Sequence, residues 1–103
     1  MENIKNIPDL IVELLESNIT LETMEITARG IEIINEISDY AEQTDIFNAN
    51  KDRGEMFVGA TAQQVFTYML DRIVNAPISF YRDMSVLLIM PFVRQKLREE
   101  GKL

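Results

Sequence analysis

The sequence predicts an all-α fold, a small bundle of four or five helices in a single domain over residues 1–103. Apolar side chains recur at helical spacing along most of the chain, and no stretch shows sustained alternation of polar and apolar residues. The length suits one domain rather than two. A composition of 47% apolar and 26% charged residues is ordinary for a folded globular protein.

The first half of the chain predicts two helices. The first covers residues 7–17, with Pro8 in its first turn and one apolar face formed by Ile7, Leu10, Ile11, Leu14 and Leu15. The second is predicted to begin at Thr20 as N-cap and to continue to about Gln43. Gly30 lies inside it, where it indicates close helix packing or a bend.

Residues 44–60 have the composition of a loop, in which "GEMFVG" is expected to form a helical turn. A third helix follows, because Thr61 and Gln64 match a capping box, and Pro77 ends it. The last helix is predicted from about Ser79 to Gly101. Pro91 lies inside it and should either kink it or break it into two helices.

The segment "GEMFVGAT", residues 54–61, has nearly the spacing of a phosphate-binding loop. Ala60 stands where such a loop needs lysine, and no buried strand precedes the segment. Thr61 already serves as a predicted helix cap. We therefore predict no nucleotide site here, and at most a weak anion site at the helix N-terminus.

The chain contains no Cys, His or Trp. Disulfides, cysteine nucleophiles, Ser–His pairs and ordinary zinc sites are therefore excluded, and dimetal sites in helical bundles also use histidine. We predict a non-enzymatic protein with no catalytic residue, no cofactor and no metal. The start "MENIKNIPDL" lacks a targeting pattern, and the apolar stretch 85–93 is shorter than the ~20 residues of a membrane span. A cytoplasmic location without membrane contact is expected.

The net charge of −7 is unevenly distributed. Residues 1–50 hold eleven acidic and two basic side chains, whereas residues 51–103 hold six acidic and eight basic ones. On the predicted second helix, Arg29 should pair with Glu25 and Glu32. The acidic stripe on that helix consists of Glu22, Glu25, Glu32, Glu36 and Asp39. It is either a solvated face or a docking surface for a basic protein partner.

The C-terminal helix carries a basic tail made by Arg94, Lys96, Arg98 and Lys102. These cations should interact with the negative end of the helix dipole. Alternatively, they lie against the acidic stripe, within one chain or across a dimer. The overall acidity argues against direct nucleic-acid binding, which depends largely on summed positive charge.

The run "VLLIM", residues 86–90, places apolar side chains in every direction around a helix. Such a turn must be buried on all sides, by a central position in the bundle or by a partner. We predict self-association into a homodimer, with Val86, Ile89 and Phe92 on the outward side.

Three function classes follow from these observations. The first is a protein–protein interaction module acting through its acidic helical surface, since an inhibitor, immunity protein or antitoxin would have this charge and size. The second is a homodimeric transcription regulator or nucleic-acid-associated protein that uses the basic C-terminal helix. The third is a structural or assembly subunit.

Overall fold

A computed structural model describes residues 6–103. Four long α-helices dominate it: α1 (Ile7–Ser17), α2 (Ala28–Ala41), α4 (Ala62–Asn75) and α5 (Ser79–Glu99). A short helix α3 (Asp45–Asn48) and a 3₁₀-helix (Lys51–Phe57) connect α2 to α4. Two short antiparallel strands, β1 (Ile19–Thr20) and β2 (Glu25–Ile26), lie between α1 and α2. The predicted all-α helical fold is confirmed.

Helix α1 has the predicted bounds. The Asn6 side chain accepts a hydrogen bond from the Asp9 N–H and caps its start, and the Asn18 N–H donates to the Leu14 carbonyl at its end. The buried face of α1 consists of Ile7, Leu10, Ile11 and Leu14.

The predicted start of the second helix at Thr20 is wrong. Residues 19–26 form the β-hairpin, and α2 begins after Thr27. The Thr27 hydroxyl accepts from the Gly30 N–H at 3.0 Å and donates to Asn18 Oδ1 at 2.5 Å, while the Thr27 N–H donates to the Asn18 carbonyl. Because this cap and the β-branched residues around it favour extended backbone, they override the helical spacing of the segment.

Gly30 is closely packed, as one of the two expectations has it, but against β2 and the end of α1 and not against another helix. A Cβ atom added there would lie 2.5 Å from Ile26 Cγ2 and 2.6 Å from the Asn18 carbonyl oxygen. The hairpin therefore passes so close to α2 that only glycine fits without movement of the backbone.

The connection between α2 and α4 is more ordered than its composition predicts. Helix α3 starts at the Thr44 cap, and the 3₁₀-helix contains most of the "GEMFVG" segment that was expected to form a helical turn. The capping box of α4 is confirmed, since the Thr61 hydroxyl accepts from the Gln64 N–H and the Gln64 side chain accepts from the Thr61 N–H.

Helix α5 is the central helix and packs against α1, α2, α3 and α4. Every residue from Ser85 to Arg94 is buried. Pro91 lies inside one continuous helix, so the predicted alternative of a break into two helices is wrong. Phe92 meets Phe47 and Phe57 with ring centroids 5.4 and 5.6 Å apart, and this aromatic cluster joins the α2–α4 connection to the core.

Candidate functional site

The predicted acidic stripe is divided between two elements. Glu22 and Glu25 belong to the hairpin region, whereas Glu32, Glu36 and Asp39 project from α2. All five side chains are exposed. The three on α2 form one surface, called the acidic face below, because spacings of four and three residues return to the same side of a helix. The acidic face extends over about 10 Å at 1.5 Å per residue.

Arg29 lies beside the acidic face and links it to α1. Its guanidinium donates to both carboxylate oxygens of Glu13 on α1, from Nε at 2.7 Å and from Nη2 at 3.1 Å, and to Glu32 at 3.3 Å. The predicted pair with Glu32 is confirmed, whereas the predicted pair with Glu25 is wrong, since Glu13 takes that place. The hydrogen bond from Arg29 lowers the pKa of Glu13 below its usual value, and the two carboxylates raise the pKa of Arg29.

Arg94 lies at the other side of the acidic face, and it is the only buried cation in residues 6–103. Its Nη1 donates to Asp39 at 2.6 Å and to Asn35 at 3.2 Å, and its Nη2 donates to Glu42 at 3.0 Å. This member of the basic tail therefore does lie against the acidic stripe within one chain. The Asp39 side chain still has 65% of its surface exposed, so the carboxylate remains available from solvent.

Sequence spacing contains a signal for the burial of Arg94. The residue lies four positions after Met90 and three before Leu97, both of which are fully buried, so it belongs to the inward side of α5. No sequence signal identifies Asn35 and Glu42 as its partners.

We expect Arg94→Met to destabilise the fold by about 2 kcal/mol, because three charge-assisted hydrogen bonds are lost while the exposed carboxylates regain water. Urea denaturation measures the difference. Arg98→Met is the matched control, since Arg98 is exposed and makes no ion pair within residues 6–103; it should change stability by less than about 0.5 kcal/mol. Equal effects of the two substitutions would contradict a structural role for Arg94.

The other members of the basic tail do not form a common surface. Lys96 lies 3.9 Å from Glu99 within its own helix and is largely covered. Lys102 donates from Nζ to the Thr23 carbonyl at 2.8 Å and ties the end of the chain to the hairpin. Of these four cations, Arg98 is the one that is exposed and has neither an ion pair nor a side-chain hydrogen bond within residues 6–103.

The self-association residues Val86, Ile89 and Phe92 are all buried within the single chain. Their predicted outward orientation is wrong, because four neighbouring elements surround α5. The burial of "VLLIM" on all sides is explained without a second copy, and a homodimer remains a prediction that needs another surface.

The N-terminus of α4, which follows the "GEMFVGAT" segment, is occupied by a side chain of the protein itself. Glu100 accepts a hydrogen bond from the Ala62 N–H at 2.7 Å. A carboxylate thus satisfies one of the unpaired amides at the positive end of the helix dipole. The weak anion site predicted here already has an internal ligand.

Two further observations concern chemistry that the described residues, 6–103, can support. No group of three or more His, Cys, Asp or Glu side chains in that range is placed to hold a metal ion. None of its helices combines the length and the apolar character of a membrane span.

Asp83, in the second turn of α5, has a raised pKa because partial burial disfavours its charged form. In the unfolded chain this carboxyl has an ordinary pKa of ~3.9. Because its pKa is higher in the folded protein, ionisation of Asp83 makes folding less favourable at neutral pH. We expect Asp83→Asn to raise the melting temperature at pH 7, and the gain to disappear below about pH 3, where the carboxyl is protonated in both states. Thermal denaturation followed by circular dichroism between pH 3 and pH 7 measures this; a gain independent of pH would contradict the assignment.

Comparison with protein-family models, curated proteins and solved structures finds no match for the chain. Any functional argument therefore depends on the charge distribution, burial and contacts of its own residues.

Proposed function

We propose that this chain is a non-enzymatic protein-interaction module whose acidic face binds a basic protein partner. One observation carries the proposal: the acidic face keeps its carboxylates exposed although two arginines lie beside it. Glu36 has no ion pair within residues 6–103, and the side chains of Glu32 and Asp39 are 69% and 65% exposed despite their arginine contacts.

The two arginines position the acidic face more than they neutralise it. Arg29 and Arg94 bring two positive charges to five carboxylates, which belong to Glu13, Glu32, Glu36, Asp39 and Glu42. An excess of three negative charges remains. Because Arg94 is buried and bonded to Asn35 and Asp39 of α2 and to Glu42 directly after it, it also holds this helix against α5. The carboxylates are thus presented on a rigid scaffold, which lowers the entropy lost on binding.

Such a surface suits a partner with a complementary basic site. Charge complementarity of this kind accelerates encounter and selects partners, and its effect decreases as salt is added. An inhibitor, immunity protein or antitoxin that covers a basic site would use a surface of this kind; the comparison concerns charge and size only.

The nucleic-acid alternative has less support. It requires the four cations of the basic tail to lie on one exposed surface, whereas Arg94 is buried and Lys102 is bonded to the hairpin. Neutralising several phosphates at once needs several accessible cations.

The experiment compares two charge-matched double variants. Glu32→Gln/Glu36→Gln removes two charges from the acidic face. Asp52→Asn/Glu55→Gln removes two exposed charges from the 3₁₀-helix, where neither carboxylate makes an ion pair within the described part of the chain. Tagged forms of the wild type and of both variants are used to capture proteins from the native cell, and each captured protein is then titrated in purified form at low and high salt.

The proposal expects a basic protein whose affinity falls at least about tenfold in the first variant and less than about threefold in the second. Affinity of the wild type should decrease between about 50 mM and about 500 mM salt. A captured partner that binds equally well to both variants, or a partner that is acidic, would overturn the proposal.

A further inference from the structure

A groove between α4, α5 and the 3₁₀-helix reaches from the surface down to the central helix. Its volume is 490 Å³, within the range of about 300–1,000 Å³ that is typical of small-molecule sites. Ser85 and Leu88 of α5, which are both buried, belong to its lining, and so does the half-exposed ring of Tyr81. The groove therefore offers apolar and aromatic surface at its floor and wall, with few polar groups.

Two arginines give this groove a positive charge. Arg53 and Arg72 both line it, and Asp71 is the one acidic residue in the lining among those described. The Asn75 amide donates to the Asp71 carboxylate at 3.2 Å and satisfies part of its hydrogen-bonding capacity. Two positive charges and one negative charge leave the lining at +1, although the whole chain has a net charge of −7.

The guanidinium groups of both arginines have free N–H donors. Neither makes an ion pair within residues 6–103. Arg53 donates only from Nε, to Asn50 at 3.4 Å. The guanidinium carbon of Arg72 lies 5.9 Å from the centre of the Tyr68 ring, a contact that leaves its N–H groups unused. A guanidinium in this state can bind a phosphate or carboxylate through two parallel hydrogen bonds.

A second groove of similar size carries the opposite charge. It lies between the start of α1 and the start of α5, has a volume of 510 Å³, and contains Asp83 as its one charged residue among those described. An anion is repelled from this second groove and attracted to the arginine-lined one. The sign of the charge thus distinguishes two cavities that are almost equal in volume.

We infer that the groove between α4 and α5 binds a small anion with an aromatic body, of the kind represented by aryl phosphates and aryl carboxylates. Arg53 and Arg72 bind the oxyanion, and the ring packs against Tyr81 and Leu88. An exposed ion pair contributes little by itself, so the ring contact is needed as well. The acidic remainder of the chain opposes the approach of an anion only weakly, because salt screens charges beyond about 8 Å at physiological ionic strength.

Titration followed by two-dimensional ¹H–¹⁵N NMR tests the inference with four probes. Phenyl phosphate and benzoate should each bind with a dissociation constant of about 1 mM or less. Phenol, which lacks the charge, and inorganic phosphate, which lacks the ring, should bind at least about tenfold more weakly. The largest amide shifts should lie in residues 71–77 and 81–88 and at Arg53. The tighter of the two aromatic anions identifies the oxyanion that the groove prefers.

Two charge-matched variants test the assignment of the arginines. Arg72→Gln should raise the dissociation constant of phenyl phosphate at least about tenfold. Arg82→Gln is the matched control, because Arg82 is exposed and does not line the groove; it should change the constant less than about twofold. Circular dichroism confirms that both variants are folded.

Three results would overturn the inference. The first is the absence of amide shifts up to about 10 mM phenyl phosphate, and the second is a set of shifts that lies outside the groove. The third is an equal loss of affinity in Arg72→Gln and Arg82→Gln, which would show a general effect of charge. None of these results bears on the acidic face, since both variants leave its carboxylates unchanged.

Discussion

Replacement of Ile89 by glutamate is expected to abolish the folded state at neutral pH. Ile89 is 4% exposed in the central helix, and each of its neighbours from Val86 to Phe92 is also buried. A carboxylate placed there must either lose its hydration or leave the core. Domains of this size have a free energy of unfolding of only about 5–15 kcal/mol. One uncompensated buried charge is therefore enough to remove most of it.

Loss of the helical circular dichroism signal, or a urea midpoint near zero, measures this result. Val12→Glu is the control, since Val12 lies on α1 with half of its surface in water; its effect should remain below about 1 kcal/mol. The same experiment distinguishes a core position of Ile89 from a position at the dimer interface that the sequence predicts. A folded, monomeric Ile89→Glu protein would show that Ile89 faces outward after all.

The long helices could be predicted from sequence because their signals are local. The 3.6-residue period, the Thr61–Gln64 capping box and the five successive apolar residues of "VLLIM" each lie within one element. Local reasoning was wrong at residues 20–27, where helical spacing and a hairpin compete. The hairpin is stabilised by Asn18 and Thr27, which are nine residues apart and meet only after the chain has turned.

The candidate sites could be predicted less well, because their contacts join residues that are far apart in the sequence. Arg94 meets Asp39 and Asn35 across 55 and 59 residues of chain, and no spacing rule connects such distant positions. The carboxylates of the acidic stripe were identified correctly as exposed, but the hairpin separates Glu22 and Glu25 from the rest. The groove at Arg53 and Arg72 was missed because its lining comes from three separate elements.

Gly30→Ala is expected to destabilise the protein, although alanine has a higher helix propensity than glycine. At an open helical position this substitution would stabilise by about 1 kcal/mol. Here the added methyl group would lie 2.5 Å from Ile26 Cγ2 and 2.6 Å from the Asn18 carbonyl oxygen. The side chain can rotate away, but the carbonyl cannot move without weakening its hydrogen bond from the Thr27 N–H at 3.0 Å.

We therefore expect Gly30→Ala to cost about 2–3 kcal/mol in urea denaturation. Gly54→Ala is the comparison, because the three atoms nearest to a methyl group added there all belong to the Phe92 side chain, the closest at 2.9 Å, and none to the backbone; the loss there should be smaller. Ile26→Ala removes the side-chain contact but leaves the backbone one, so Gly30→Ala should cost less in the Ile26→Ala background than in the wild type, but should still destabilise. A stabilised Gly30→Ala protein would show that the hairpin does not pack on α2 in this way, since only the separation of these two elements would leave room for the methyl group.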